Sequence, residues 1–137
     1  MIKRILAGVV LFILGLLIAV GPHTIFPVCE AMGDNYMKCH WTAQAVSGIG
    51  LSIAFLGVLL IILTPKQIRL GISLAILPNA ILVTVIPNVL IGVCNNIHMN
   101  CHALTLPALN VLGVLTLLAV VINIWYLWKT NRKEGSE

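Results

Sequence analysis

The chain has 137 residues, of which 60% are hydrophobic and only 9% are charged. A soluble domain carries roughly 25% charged residues, so this composition excludes a water-soluble fold and predicts one integral membrane domain. The formal net charge is +4, but the basic residues stand in small groups between long apolar runs. That arrangement indicates orientation in a bilayer and excludes a nucleic-acid-binding surface.

Four apolar runs are long enough, at about 20 residues each, to cross a bilayer as helices. They lie near 5–21, 43–64, 69–92 and 104–128. Barrel strands are excluded because the runs are too long and four strands cannot close a barrel. The first run resembles a signal peptide, but it lacks a clear cleavage site and three further runs follow it. We therefore expect it to be retained as a span.

The basic residues predict the topology of these spans. Seven of the eight fall on one side of the membrane if the spans alternate: Lys3, Arg4, Lys66, Arg69, Lys129, Arg132 and Lys133. The positive-inside rule therefore places both termini and the connection 64–69 in the cytoplasm, and the connections 22–42 and 93–103 outside. Aromatic residues suited to the interfacial belts lie at matching ends of the spans: Trp41 at the outer end, and Trp125, Tyr126 and Trp128 at the inner end.

The two halves of the sequence repeat each other. Met37-Lys38-Cys39-His40 is matched by Met99-Asn100-Cys101-His102, and a further cysteine precedes each copy, at Cys29 and Cys94. Each half is a helix, an outer loop and a second helix, and both halves enter from the inside, as in a parallel repeat. The predicted fold is an all-α four-helix transmembrane bundle of two helical hairpins, about 1–64 and 65–128. Residues 129–137 form a cytoplasmic tail.

The four cysteines all fall on the predicted outer face, where an oxidising environment favours disulfides. The most direct pairing joins Cys29 to Cys39 and Cys94 to Cys101, one bridge in each loop. The main rival joins Cys39 to Cys101, and three connectivities are open in all. A bridge across a loop of about ten residues contributes about 3 kcal/mol in the chain-entropy model. One interpretation is therefore purely structural, with stapled loops that bind no small ligand.

The repeated motif also predicts a ligand site. Its candidate ligands are His40, His102, Met37 and Met99. Methionine, cysteine and histidine together suit copper(I), and two cysteines with two histidines suit zinc. If the cysteines are oxidised, the histidines and methionines remain as an axial set for haem iron. His23 and His98 could add a ligand. The alternative is that His40 and His102 only cap helices or bond to loop carbonyls.

Thiol redox chemistry is a further hypothesis. Four spans with two outer cysteine pairs resemble the layout of the quinone-linked disulfide oxidases of the DsbB type. Those enzymes use a Cys-x-x-Cys pair, whose spacing produces a reactive thiolate. Here nine and six residues separate the paired cysteines, so the main motif is missing. No motif supports hydrolytic or phosphoryl-transfer catalysis, and no catalytic residue is predicted.

The third span is unusual because it contains Pro78-Asn79 and Pro87-Asn88. Proline removes a backbone donor and kinks a helix, and the carbonyl it frees needs a partner. One interpretation is a kinked helix held by interhelical hydrogen bonds. The other is a cleft that opens outward beneath the two loops. The polar residues predicted to line that cleft are Asn79, Asn88, Asn110 and Gln44.

Small residues in the spans predict close helix packing. They are Gly8, Gly15, Ser47, Gly48, Gly50, Ser52 and Gly57. Small side chains let the backbones of two membrane helices approach each other. This pattern indicates close packing of the helices and no particular function.

The stretch 27–50, with Met37 to Ala45 at its centre, and Met99 to His102 in the second half resemble one family. It is a family of small bacterial four-span membrane proteins with Met-x-Cys-His outer loops. Members tend to be encoded beside ABC transporters of the MacB or FtsX type. The resemblance therefore implies a multi-pass protein of the bacterial plasma membrane with an ABC transporter permease as partner. It implies no particular activity.

The leading hypothesis is a non-enzymatic membrane subunit with an extracytoplasmic site for haem, copper or zinc. The chain has no nucleotide-binding motif, so it would work with an ABC transporter rather than drive transport itself. A membrane thiol-disulfide oxidoreductase and a structural partner without a ligand are the alternatives. The bilayer is a partner in every case, and a homo-oligomer stays open.

Overall fold

The computed structural model of the chain describes residues 2–25, 38–90 and 101–136, with the side chains of Lys38, Cys39, Cys101 and His102 excepted. These residues form helices and no strands, which confirms the predicted all-α fold. The helices are α1 (Ile2–Thr24), α2 (Lys38–Ile62), α3 (Lys66–Val85) and α4 (Leu106–Glu134). Two π-helical segments flank the third connection: Ile86–Leu90 continues α3 and Cys101–Thr105 leads into α4.

α1 extends beyond its predicted span at both ends, α2 and α3 begin earlier than predicted, and α4 ends later. The apolar run ends where the hydrocarbon ends, whereas a helix continues as long as its backbone hydrogen bonds are satisfied. The connection predicted at 64–69 is therefore only three residues, 63–65, and the predicted tail 129–137 is helical as far as Glu134. Pro65 caps α3 with extended backbone, and its carbonyl accepts the first helical bond, from Arg69 N at 3.1 Å.

Glycines bring α1 and α2 into close contact. The backbones meet antiparallel at two levels, Gly8 against Gly57 and Gly15 against Gly50. A Cβ added at Gly15 would lie 2.5 Å from the backbone nitrogen of Ala54, and one at Gly50 would lie 2.5 Å from that of Ala19. Four of the predicted small residues therefore form this contact. Gly48 does not, because a Cβ there would meet no described atom within 4 Å.

The second hairpin is joined by polar as well as apolar contacts. α3 packs on α4, and Gly113 of α4 lies directly against the side chain of Thr84. Asn123 Nδ2 of α4 donates a hydrogen bond to Ser73 Oγ of α3 at 2.8 Å, and both side chains are buried. The hairpins then meet through α2 against α3 and α1 against α4, which closes a ring of four helices.

The core of the ring repeats every seven residues along each helix. In α2 the buried residues Val46, Ile53 and Leu60 follow this spacing, and in α3 Ile76 and Val83 do so. A seven-residue repeat keeps one stripe of a helix facing its neighbours, as in coiled coils and four-helix bundles. The remaining members of the core are Leu11, Ile18, Ile86, Leu109 and Val120.

The outside of the bundle is apolar. Large hydrophobic side chains such as Leu51, Phe55 and Ile122 are more than 60% exposed, far beyond what a water-facing surface tolerates. Four helical segments, of 23, 23, 25 and 32 residues, are long and apolar enough to cross a membrane. A helix of 23 residues is about 35 Å long, against about 30 Å of hydrocarbon. The fold therefore fits a multi-pass membrane protein.

The bundle has two chemically different ends. We call the end with the start of α1, the α2–α3 connection and the end of α4 the terminal end. It carries interfacial aromatic rings under basic side chains, with Lys129 Nζ 5.2 Å from the Trp125 ring centre and Arg132 Cζ 6.0 Å from that of Trp128. We call the opposite end the loop end, where α2 and α4 begin.

Candidate functional site

Two of the predicted ligand positions, 40 and 102, lie at the loop end. His40 is the third residue of α2, and the backbone of His102 is helical in the segment that leads into α4. The two positions therefore lie at the same end of one bundle, on helices that are not adjacent along the chain. Four of the residues singled out in the sequence lie outside the described part: Met37, Met99, Cys29 and Cys94. The side chain of His102 lies outside it as well.

The remaining cysteines are described only in their backbone. Cys39 is the second residue of α2, and Cys101 opens the π-helical segment before α4. Their side chains lie outside the description, so the predicted disulfide pairings stay predictions. Among the described side chains, no group of three or more His, Cys, Asp or Glu is close enough together to hold a metal ion. The predicted shared site therefore also stays a prediction.

The imidazole of His40 is half-buried at the start of α2. Its ring meets the ring of Trp41 edge to face, with 6.1 Å between the ring centres and 82° between the planes. The next residue, Thr42, is only 2% exposed, so the first turn of α2 is packed into the bundle. Aromatic contacts of this kind restrict ring orientation. His40 is thus presented from ordered helical backbone rather than from a free loop.

A second histidine of the loop end is engaged elsewhere. His23 Nε2 lies 2.9 Å from Ser47 Oγ, which ties the end of α1 to α2. Ser47 follows His40 by seven residues, and seven residues of α-helix rise about 10 Å. The His23 ring is therefore held about two turns deeper along α2 than His40. His98, the other auxiliary ligand predicted from the sequence, lies outside the described residues.

The asparagines of the two Pro-Asn pairs in the third span make different hydrogen bonds. Asn79 Nδ2 donates to the carbonyl of Ala75 at 3.0 Å, within its own helix. Asn88 Nδ2 donates to the carbonyl of Thr84 at 2.6 Å and also to Asn110 Oδ1 of α4 at 2.6 Å. Asn88 thus supplies an interhelical hydrogen bond, as one of the two interpretations of this span predicted.

The residues predicted to line a cleft are Asn79, Asn88, Asn110 and Gln44. Asn88 and Asn110 are in direct contact, whereas Asn79 bonds within α3 and Gln44 is exposed on α2. The loops that would close such a cleft lie outside the described residues. The cleft as a whole remains a prediction.

Irregular backbone surrounds the third connection on both sides. Ile86–Leu90 contains Pro87, which has no N–H to continue the α-helical ladder, and the segment is π-helical. Cys101–Thr105 is π-helical as well. Single π turns within helices are rare and are found frequently at functional sites. Sequence reasoning foresaw a kink here, but not that the backbone would become π-helical.

The sequence interpretation missed a second cluster, at the terminal end. It placed Lys66 and Arg69 in the tight turn between the second and third spans, whereas Arg69 lies in the first turn of α3 and is only 6% exposed. Ser73 Oγ donates to the carbonyl of Arg69 at 2.9 Å and in turn accepts from Asn123. The seven-residue core spacing of α3 would have indicated this burial, since Arg69, Ile76 and Val83 share it.

No curated protein and no solved structure matches the chain. Residues 11–126 match a family described as a domain of unknown function, DUF4418. The match runs from the third turn of α1 to the last turns of α4, so it includes part of every helix and both copies of the repeated motif. The chain therefore belongs to the DUF4418 family.

Proposed function

We propose that the chain is a non-enzymatic membrane subunit that binds haem or a soft metal ion at its loop end, through His40 and His102. The proposal is supported by the positions of the helices that follow the two Met-x-Cys-His copies. One copy leads into α2 and the other into α4, and both helices begin at the loop end. One bundle thereby carries two equivalent histidine positions to the same end in helical backbone.

The chemistry of the donor set fits the proposed ligands. Imidazole nitrogen binds haem iron, copper and zinc, and the thioether sulfur of Met37 or Met99 favours copper(I) or haem. If Cys39 and Cys101 are reduced, their thiolates make zinc a further candidate ligand. If they are oxidised, histidine and methionine remain the donors. The edge-to-face contact with Trp41 supports the proposal, since ligand histidines need a fixed ring orientation.

Cellular placement forms part of the proposal. The basic residues of the terminal end favour a cytoplasmic location for that end, which puts the loop end outside the plasma membrane of a bacterium. The resemblance seen in the sequence suggests an ABC transporter permease as partner. In such a complex the chain would present its ligand on the outer side, while the transporter supplies the energy.

Ligand titration of the detergent-purified protein tests the proposal. Haem is titrated by absorbance, and copper(I) is titrated in competition with a coloured chelator. We expect one ligand to saturate near one equivalent per chain. His40→Ala and His102→Ala should each weaken binding about tenfold or more, since each removes a metal–ligand bond. His23→Ala is the matched control, because His23 already contacts Ser47, and it should bind like the unsubstituted protein.

Two results would contradict the proposal. One is the absence of saturable binding of either ligand. The other is a titration curve that neither His40→Ala nor His102→Ala changes. Either result would leave a structural partner with stapled loops as the better description.

A thiol-disulfide oxidoreductase is a second candidate, favoured by the backbone position of two cysteines. Cys39 and Cys101 each stand at the beginning of a helical segment, and helix N-termini stabilise thiolates. This function requires at least one cysteine pair to exchange with dithiothreitol while the protein is folded. The exchange is measured by alkylation and intact mass. Resistance of both pairs to reduction without denaturant would rule the candidate out.

A further inference from the structure

The terminal end contains a cavity of about 370 Å³ that is unusually rich in basic side chains. Lys3 and Arg4 reach it from α1, Lys66 and Arg69 from α3, and Tyr126 from α4. Two helices, α1 and α3, therefore bring four cationic groups to one concave site, and α4 completes its wall. A volume of this size falls in the range of small-molecule pockets.

Two of these cations, Arg4 and Arg69, have a buried Nε atom without an acceptor among the described residues. Arg69 is only 6% exposed, and Arg4 is half-buried. The Nε atoms of both guanidinium groups are shielded from solvent, and neither has a hydrogen-bond partner among the described residues. Burying a charged group is costly unless the group is paired and hydrogen-bonded. The arrangement therefore calls for an anion that accepts from both guanidinium groups.

The protein supplies little negative charge to this cavity. Glu134 forms an ion pair with Lys66, which neutralises one of the four cations. The other acidic residues of the chain, Glu30, Asp34 and Glu137, lie outside the described part. Lys3 Nζ lies 5.6 Å from the ring centre of Tyr126, a contact that leaves its charge intact. The site therefore keeps a net positive charge within the described structure.

An apolar groove continues from the basic cavity along the membrane-facing side. It holds about 270 Å³ between α1 and α4 and is lined by side chains that include Leu6, Val10 and Ile122. Lys3, Asn123 and Tyr126 line both the groove and the basic cavity, so the two spaces adjoin. From Lys3 to Val10 the groove runs along about two turns of α1, towards the middle of the span.

We propose that the cavity and the groove together bind an anionic phospholipid. The phosphate accepts charge-assisted hydrogen bonds from Arg69 and Arg4, and one acyl chain lies in the groove against Val10. Guanidinium groups suit phosphate because their planar donors match its oxygens. Basic pockets between membrane helices on the cytoplasmic side are known to bind lipid head groups of this kind. The apolar groove beside the cavity favours a lipid over a free phosphate.

Native mass spectrometry of the delipidated full chain in detergent tests this site. The protein is offered phosphatidylglycerol and phosphatidylcholine with the same acyl chains. We expect a one-to-one complex that prefers phosphatidylglycerol. Arg69→Gln should weaken that complex about tenfold, the effect of losing one charge-assisted hydrogen bond. Arg132→Gln is the control, because it removes the same charge at the same end but from a side chain that stacks on Trp128.

Further variants keep the test decisive. If Arg69→Gln does not fold, the half-buried Arg4→Gln takes its place with the same expected loss. Val10→Trp should fill the groove and weaken the complex, while Val9→Trp, which does not line the groove, should not. A third arm titrates inorganic phosphate without lipid and follows the thermal stability of the protein.

The outcomes separate the alternatives. Equal binding of the two lipids, or equal losses in Arg69→Gln and Arg132→Gln, would overturn the proposal. Stabilisation by inorganic phosphate without any preference for phosphatidylglycerol would overturn the lipid assignment. Preference for phosphatidylglycerol that depends on Arg69 and Val10 would support it.

Discussion

The contact between α1 and α2 makes a sharp prediction about two glycines of the same helix. A Cβ at Gly50 would lie 2.5 Å from Ala19 N and 2.9 Å from Ala19 Cα, whereas ordinary contact begins at 3.4 Å. Both neighbours are backbone atoms and cannot rotate away. Gly50→Ala must therefore push the helices apart by about 0.9 Å, and a gap of this size forfeits a quarter to a half of the local dispersion energy.

The free-energy change follows from two opposing terms. Overpacking costs about 1–3 kcal/mol, and the better helix propensity of alanine returns about 1 kcal/mol. We therefore expect Gly50→Ala to lower the free energy of unfolding by up to about 2 kcal/mol. Gly48→Ala gains the same propensity, but its Cβ meets no described atom within 4 Å. It should leave the stability unchanged or raise it by up to about 1 kcal/mol.

Equilibrium unfolding in mixed dodecylmaltoside and dodecylsulfate micelles, followed by circular dichroism, measures both variants. The comparison within one helix removes differences in helix length and detergent binding. If Gly50→Ala unfolds at the same dodecylsulfate fraction as Gly48→Ala, the close backbone contact between α1 and α2 does not exist as described.

The remaining predictions concern polar contacts of the bundle. Asn123→Leu removes the bond to Ser73 and should cost about 0.6 kcal/mol in the same assay, the average for interhelical bonds in membranes; a stabilised variant would contradict this. Asn88→Leu should cost at least as much, because it leaves Asn110 Oδ1 without its donor, and an equal effect of Asn79→Leu would refute the interhelical role. Glu134→Gln breaks an ion pair whose side chains are 38% and 63% exposed, so its effect should stay below about 0.5 kcal/mol.

The sequence predicts the number and pairing of the helices well, for a physical reason. The bilayer fixes the length of an apolar run, and consecutive spans must cross it in opposite directions. The ends of the helices could not be predicted in this way. Lys66 and Glu134 are helical although they are polar, because backbone hydrogen bonding continues past the hydrocarbon boundary.

Register between helices is the other feature that the sequence left undecided. Gly48 and Gly50 are equally small, yet only Gly50 meets a partner helix, since the choice depends on how α1 is rotated against α2. The burial of Arg69 is indicated by its seven-residue spacing from Ile76 and Val83, but its charge and its position point the other way. A basic residue at the edge of a span is ordinarily exposed to headgroups and water, and only the packing of α1 and α4 around it encloses the guanidinium group.

The candidate ligand site could also be predicted only in part. Topology alone places positions 40 and 102 at the same end of the bundle, because each lies at the start of an even-numbered span. Whether the two imidazoles meet depends on the paths of the loops 26–37 and 91–100, which lie outside the described residues. Periodicity carries no information about those paths.

Analysis of the protein as purified from its native membrane tests the central claim most directly. Iron, copper, zinc and haem are quantified per chain in the unsubstituted protein and in the His40→Ala/His102→Ala double variant. The paired-histidine account predicts close to one equivalent of one of these ligands in the former and a loss of nearly all of it in the latter. Equal ligand content in the two proteins would contradict it.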